Sequence, residues 1–180
     1  MTVDTAAPAP GGAHADGLSA QRVGPRRYIG RNTRGAEVSM GPAEAGAVFT
    51  PGELLKIALA GCAGMSADTA ISRRLGPDVA ITVHVAGIKN VDDERYPALH
   101  EELVVDLSSL DHAERDRVLT VVRRAIARNC TVGRTLERGA DVELTLADGL
   151  DRIDRASGVD GGAMTIVSTG SGPAVHADGR

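Results

Sequence analysis

The chain has 180 residues, a net charge of −4, 42% apolar residues and 2% aromatic ones. That length suits one domain with tails, and its only aromatics, Tyr28, Phe49 and Tyr96, are too few for a base-stacking platform. The negative charge argues against a polyanion partner, so no nucleic acid partner is expected.

The N-terminus has neither a basic region nor an apolar run of secretory length, and no window reads as the ~18 consecutive apolar residues that cross a bilayer. The chain therefore reads as cytoplasmic and without a membrane partner, in a compartment where structural disulfides are rare. Residues 1–21 are Ala, Pro, Gly and small polar residues without periodicity and read as a flexible N-terminal tail. The folded domain is expected over 22–150. A Gly/Ser-rich C-terminal extension covers 151–180, where Ala163-Met164-Thr165-Ile166-Val167 is a candidate strand.

Arg26–Gly30 and Gly35–Met40 read as two short strands joined by the polar turn Arg31-Asn32-Thr33-Arg34. Thr50-Pro51-Gly52-Glu53 is a helix start, with Thr as N-cap, Pro at the first helical position and Glu at the third. The helix is predicted over Pro51 to about Leu75. It is apolar nearly all round and is therefore expected to be buried on most sides. Gly61 and Gly64 flank Cys62 within it, and each costs ~1 kcal/mol against Ala, which predicts close packing at that level.

Val79–Ile88 alternates apolar and polar residues as a half-buried strand does. The acidic turn Asp92-Asp93-Glu94 leads to a second strand, Leu99–Leu107, in a long hairpin. Asp111 and Glu114 have capping-box spacing before an amphipathic helix whose apolar face is Val118, Val121, Val122, Ala125 and Ile126. A last strand is predicted over Asp141–Leu146. Strand pairs set among two principal helices give an α+β domain of antiparallel sheets.

Cys62 and Cys130 are the whole thiol inventory. Two readings of Cys62 stand at this point: a small buried hydrophobe, or a reactive thiol. Mid-helix it receives no help from its own helix dipole, and burial raises a thiol pKa, so reactivity requires a cation from Arg31, Arg34 or Arg134. Glu53 has a capping role by its spacing, and Arg31 and Arg34 also read as solvated turn charges. His14, His84, His100, His112 and His176 lack metal-ligand spacing, and no phosphate-cradling or nucleophile-elbow motif occurs. No metal and no cofactor are expected.

Thr50-Pro51-Gly52-Glu53-Leu54-Leu55 running to Ala60-Gly61-Cys62, followed by Cys130-Thr131-Val132-Gly133-Arg134-Thr135-Leu136, resembles the OsmC/Ohr family of osmotically inducible and organic hydroperoxide resistance proteins. The resemblance covers roughly residues 26–147. It implies a two-layer fold around a long central cysteine-bearing helix, an intertwined homodimer, and thiol-dependent reduction of organic hydroperoxides with an external dithiol reductant, the lipoyl type included. By that resemblance Cys62 is the peroxidatic thiol and Cys130 the resolving thiol. Arg34, with Arg31 in reserve, holds the thiolate, and Glu53 is the nearest match to the glutamate that orients the arginine. The chain departs from the family pattern at Gly52, which stands at the usual glutamate position, and at Thr131 and Gly133, which replace Pro and Ser. Those departures leave a second reading: a non-catalytic dimer of the same fold that binds a ligand or senses redox state.

Overall fold

The computed structural model describes residues 17–146 and 164–168. It divides into one compact unit spanning Ser19–Gly139 and a second that contains Ala140 onward.

The first unit opens with a three-stranded antiparallel sheet in the order β1-β2-β3, made by β1 (Ser19–Gly24), β2 (Arg27–Arg31) and β3 (Glu37–Met40). Strands β2 and β3 match the expected pair. Strand β1 is a correction, because it begins inside the 1–21 stretch read as tail. Ser-Ala-Gln-Arg-Val-Gly has no apolar alternation and its residues are almost all exposed, so backbone pairing with β2 holds it rather than burial. The β2–β3 turn is built by Asn32, whose Oδ1 accepts from the Arg34 and Ala36 amides at 2.9 and 3.0 Å, and by Gly35 at φ 86°.

Helix α1 (Pro51–Leu75) has the predicted bounds. Thr50 accepts from the Glu53 amide at 3.2 Å while the Glu53 carboxylate accepts from the Thr50 amide at 2.7 Å, and Gly76 at φ 99° ends the helix. Its buried residues are Leu59, Ala63, Ala67 and Ile71, a stripe at every fourth position. The expectation of burial on most sides is corrected: Met65 is 82% exposed and Ile57 48%, because α1 is covered on one flank only. By length and a mean hydropathy of 1.3, α1 passes for a bilayer span, contrary to the sequence expectation. Here its apolar stripe packs against protein.

Strands β4 (Ile81–Ala86) and β5 (His100–Val105) form the predicted hairpin, with Val83 opposite Leu103 and Val85 opposite Glu101. Helix α2 (His112–Asn129) starts on the predicted capping box, with the Glu114 amide 2.8 Å from Asp111 Oδ1. Val118 and Val122 bury against Ala67 and Ile71, with Leu103 and Val105 beside them. Val121 stays 50% exposed, outside the face assigned to it. Ile71 is fully buried. Ile71→Ala is expected to cost about 2–5 kcal/mol, read as a lower denaturant midpoint at unchanged m-value.

A third helix follows at once: α3 (Thr131–Arg138), closed by Gly139 at φ 74°. In the second unit β6 (Val142–Leu146) pairs antiparallel with β7 (Met164–Ser168), near the strands expected at 141–146 and 163–167. The N-terminal tail up to residue 16 and most of the 151–180 extension lie outside the described residues.

Candidate functional site

The two cysteines meet. Leu59, Ala63 and Cys130 form one buried cluster, and Cys62 packs against it with Val83, Val85, Leu99 and Ile126. The two thiols are free, Cys130 is 2% exposed, and Cys62 is half-buried.

Cys130 is the corner between two helices. Its amide closes the last turn of α2 on Ile126 O at 2.9 Å, and its sulfur accepts from the Gly133 amide at 3.3 Å as the N-cap of α3. A Cβ at residue 133 would stand 3.1 Å from that sulfur and 3.7 Å from Leu59 Cδ1, so a side chain there would press on the Cys130 sulfur. Gly64 faces Val83 at ordinary contact distance. At Gly61, where the sequence predicted close packing, an added Cβ would meet nothing within 4 Å beyond its own helix backbone and chain neighbours.

Burial is the largest influence on the Cys62 thiol and pushes it up. The Val132 amide, the Cys130 thiol and the Thr131 amide together outweigh burial, so the thiol lies below its ordinary value. The donors come from the first turn of α3, whose unsatisfied N–H groups carry the positive end of that helix. For Cys130 the balance is opposite. Burial, then the neighbouring Cys62 sulfur, raise its thiol above the ordinary value despite the Gly133 amide. The pair is thereby polarised, with Cys62 favoured as the thiolate and Cys130 retaining its proton.

Within one subunit the amides of α3 and the Cys130 thiol lower the Cys62 thiol, and none of the three candidate arginines contributes. Among the described residues no guanidinium acts on Cys62. Arg31 is engaged by Glu37 at 2.6 Å and by Gln21 at 2.9 Å. Arg34 lies in the exposed β2–β3 turn, and Arg134 lies in the first turn of α3. Glu53 has its Oε2 on the Thr50 amide and hydroxyl, which hold its carboxyl below the usual range, and among the described ion pairs none joins it to Arg34.

Sequence reasoning missed Glu101. It lies on the face of β5 that carries Leu103 and Val105, where it interrupts the apolar series Leu99, Leu103, Val105, Leu107. That interruption was the available signal. Burial first and Glu137 second raise its own pKa, and its charge pushes both thiols upward. It lines a cleft of about 700 Å³ with Leu59, Tyr96 and Gly133. Tyr96 is seated so closely on Gly52 that a side chain there would require the tyrosine to shift, and Lys56 Nζ stands 4.9 Å over its ring. A separate groove of about 570 Å³ opens directly on Cys62 between α1 and α2.

The fold is similar to that of solved proteins. One from Psychrobacter arcticus, assigned provisionally to the osmotic-stress and detoxification response, superposes with a TM-score of 0.53 at 21% identity, covering 66% of this chain and 86% of that one. A hypothetical protein from Aquifex aeolicus gives 0.53 at 13% identity, over 69% and 89%. An uncharacterised protein of Mycobacterium tuberculosis is 51% identical over 131 residues, 73% of this chain and 96% of the relative. The model of the OsmC-like protein family matches residues 44–145, from just before α1 through β6 and so across both cysteines, and the chain belongs to that family.

Proposed function

We propose that this protein is a thiol-dependent peroxidase that reduces organic hydroperoxides. The observation that carries the reading is the polarised sulfur pair at the start of α3: a more acidic, half-exposed Cys62 touching a buried, less acidic Cys130. The Cys62 thiolate attacks the distal peroxide oxygen, the O–O bond breaks, and the departing alkoxide takes a proton from solvent to leave as alcohol. Cys62 is then a sulfenic acid. The Cys130 sulfur attacks it, water leaves, and a Cys62–Cys130 disulfide forms before further oxidation. An external dithiol reductant, lipoyl-type or other, returns both thiols by exchange.

The exposed apolar residues Ile57 and Met65 on α1, and Val23 and Tyr28 on the β1–β2 hairpin, support a homodimer that covers them. In such a dimer Arg34 completes the site by adding a guanidinium to the amides of α3, with Glu53 as the nearest match to the glutamate that orients it. A cytoplasmic location fits a dithiol that cycles.

Two substitutions separate these contributions. Thr131→Pro removes one amide donor at a position that suits proline, since Cys130 before it is extended (φ −71°, ψ 95°). It is expected to raise the Cys62 thiol pKa, and Arg34→Ala is expected to do the same. Iodoacetamide labelling of Cys62 across pH measures both, and an Arg34→Ala profile that coincides with wild type would leave the α3 amides as the activator.

A non-catalytic dimer that binds ligands or senses redox state is favoured by one observation: Glu53 is already committed to Thr50. Cumene hydroperoxide consumption with dithiothreitol decides between the two. Turnover that requires Cys62 supports the peroxidase, and its absence supports the binding or sensing protein.

A further inference from the structure

In the reduced pair the Cys130 thiol gives its hydrogen bond to the Cys62 sulfur. Once Cys62 carries the sulfenic oxygen, that sulfur is the electrophile, and the Cys130 proton needs another acceptor before the two sulfurs join. Bulk water is a poor acceptor here, because Cys130 is 2% exposed.

A carboxylate stands at the wall that covers it. Leu59, Leu99 and Gly133 line the cleft of about 700 Å³, and both leucines also pack in the cysteine cluster. At Gly133 that wall is bare backbone, with its amide 3.3 Å from the Cys130 sulfur. Glu101 lines the same cleft and pairs across the hairpin with Val85, another member of the cysteine cluster. Among the described residues it is the one charged side chain outside the pair whose field reaches both sulfurs. Glu101 is itself exposed, so it can return to water what it takes.

The neighbouring charges leave this carboxylate free. On the β4–β5 loop Glu94 is paired with Lys89 and Arg95 with Asp93, and Lys56 of α1 stands over the Tyr96 ring. His84, His100 and Glu102 share the opposite face of the hairpin. Glu137 on α3 faces Glu101 across the cleft and, after burial, raises its proton affinity. Among the described ion pairs none involves Glu101 or Glu137. A carboxyl held above its ordinary range is better matched to taking and giving a proton near neutral pH.

We infer that Glu101, directly or through one water, takes the Cys130 proton as the disulfide forms and passes it to the hydroxyl that leaves Cys62. The S–H bond of Cys130 and the S–O bond of Cys62 break, the S–S bond forms, and the departing hydroxide gains the proton as water. The Cys62 sulfur is reduced from the sulfenic level while Cys130 is oxidised to match, so no further reactant is consumed. This inference rests on the peroxidase reading for the sulfenic acid alone. The proton acceptor serves any bond made between these two sulfurs.

No peroxide is therefore needed to test it. One equivalent of dithiobis(nitrobenzoate) labels Cys62 and releases one nitrothiobenzoate; Cys130 then displaces the second, at a rate independent of reagent concentration. At neutral pH Glu101→Gln is expected to slow the second release about a hundredfold, the low end for a general base, and Glu101→Asp to keep part of the rate. The first release should be slightly faster than in the wild type, because the Glu101 charge pushes the Cys62 thiol up. A damaged fold would not give opposite signs in the two phases. In the wild type the second release should rise with pH as Glu101 ionises. Glu137→Gln lowers Glu101 and should move that rise to lower pH, whereas in Glu101→Gln the rise waits until Cys130 ionises unaided. A second release unchanged by Glu101→Gln, or a rise that ignores Glu137, would overturn the inference and leave the peroxidase intact. With cumene hydroperoxide instead, Glu101→Gln should accumulate sulfenic acid that dimedone traps. A slowed second release in Glu101→Gln, together with no hydroperoxide consumption by the wild type, would keep Glu101 as the proton acceptor and remove the peroxidase.

Discussion

Replacing Cys62 with serine is expected to reduce hydroperoxide consumption to the rate of dithiothreitol alone. The serine hydroxyl does not ionise near neutral pH and has no accessible oxidation state corresponding to a sulfenic acid. Neither the amides of α3 nor Cys130 can compensate for it. Cys130 is the poorer nucleophile on two counts, being 2% exposed and raised by burial and by the neighbouring sulfur. In the wild type the rate should climb with pH as Cys62 ionises and then level off. Because the thiol lies below its ordinary value, the midpoint should fall below the ~8.5 of a free cysteine. Consumption that persists in Cys62→Ser would remove the proposed reaction, and a midpoint at or above a free cysteine would remove the role given to α3.

The second large effect is expected from Cys130→Ser. The first oxidation of Cys62 should still occur, but the sulfenic acid then has no neighbouring thiol to condense with and is exposed to a second equivalent of peroxide. Intact-mass measurement should show sulfinic acid accumulating on Cys62 at excess hydroperoxide, with turnover declining within the first cycles. The wild type under the same conditions should show a loss of two hydrogens, the mass of a disulfide. The first step should also slow modestly, because the Cys130 thiol is one of the groups that lower Cys62. A serine hydroxyl can still donate at that position, which keeps the slowing small. Steady turnover without over-oxidation would assign the resolving step to a different thiol, the dithiol reductant itself.

The helices were legible where a few side chains decide local structure. Thr50, Pro51 and Glu53 fixed the start of α1, and Asp111 with Glu114 fixed that of α2. Alternation marked the β4–β5 hairpin. The meeting of the sulfurs followed from the family resemblance rather than from any pattern in the residues. Strand β1 was missed because its residues are almost all exposed, and backbone pairing leaves no mark on side-chain choice. Helix α3 was missed because a cysteine cap has no place among the usual N-cap residues, and Gly133 at its start lowers helix propensity. The contribution of α3 to thiol activation was missed for the same reason: without α3 there was no helix N-terminus near Cys62, and arginines were the only charges in view. The bare flank of α1 was equally invisible, since hydropathy reports what a face tolerates rather than whether anything covers it.

One atom at the α2–α3 corner has two occupations. The Cys130 sulfur that receives the Gly133 amide at the start of α3 is the same atom that would carry the new bond in the oxidised protein. Drawing it toward Cys62 competes with its duty at the corner, so each catalytic cycle would unfasten and refasten the opening turn of α3. That turn supplies the amides that acidify Cys62. Oxidation would therefore loosen the very groups that made the thiol reactive, and reduction would restore them.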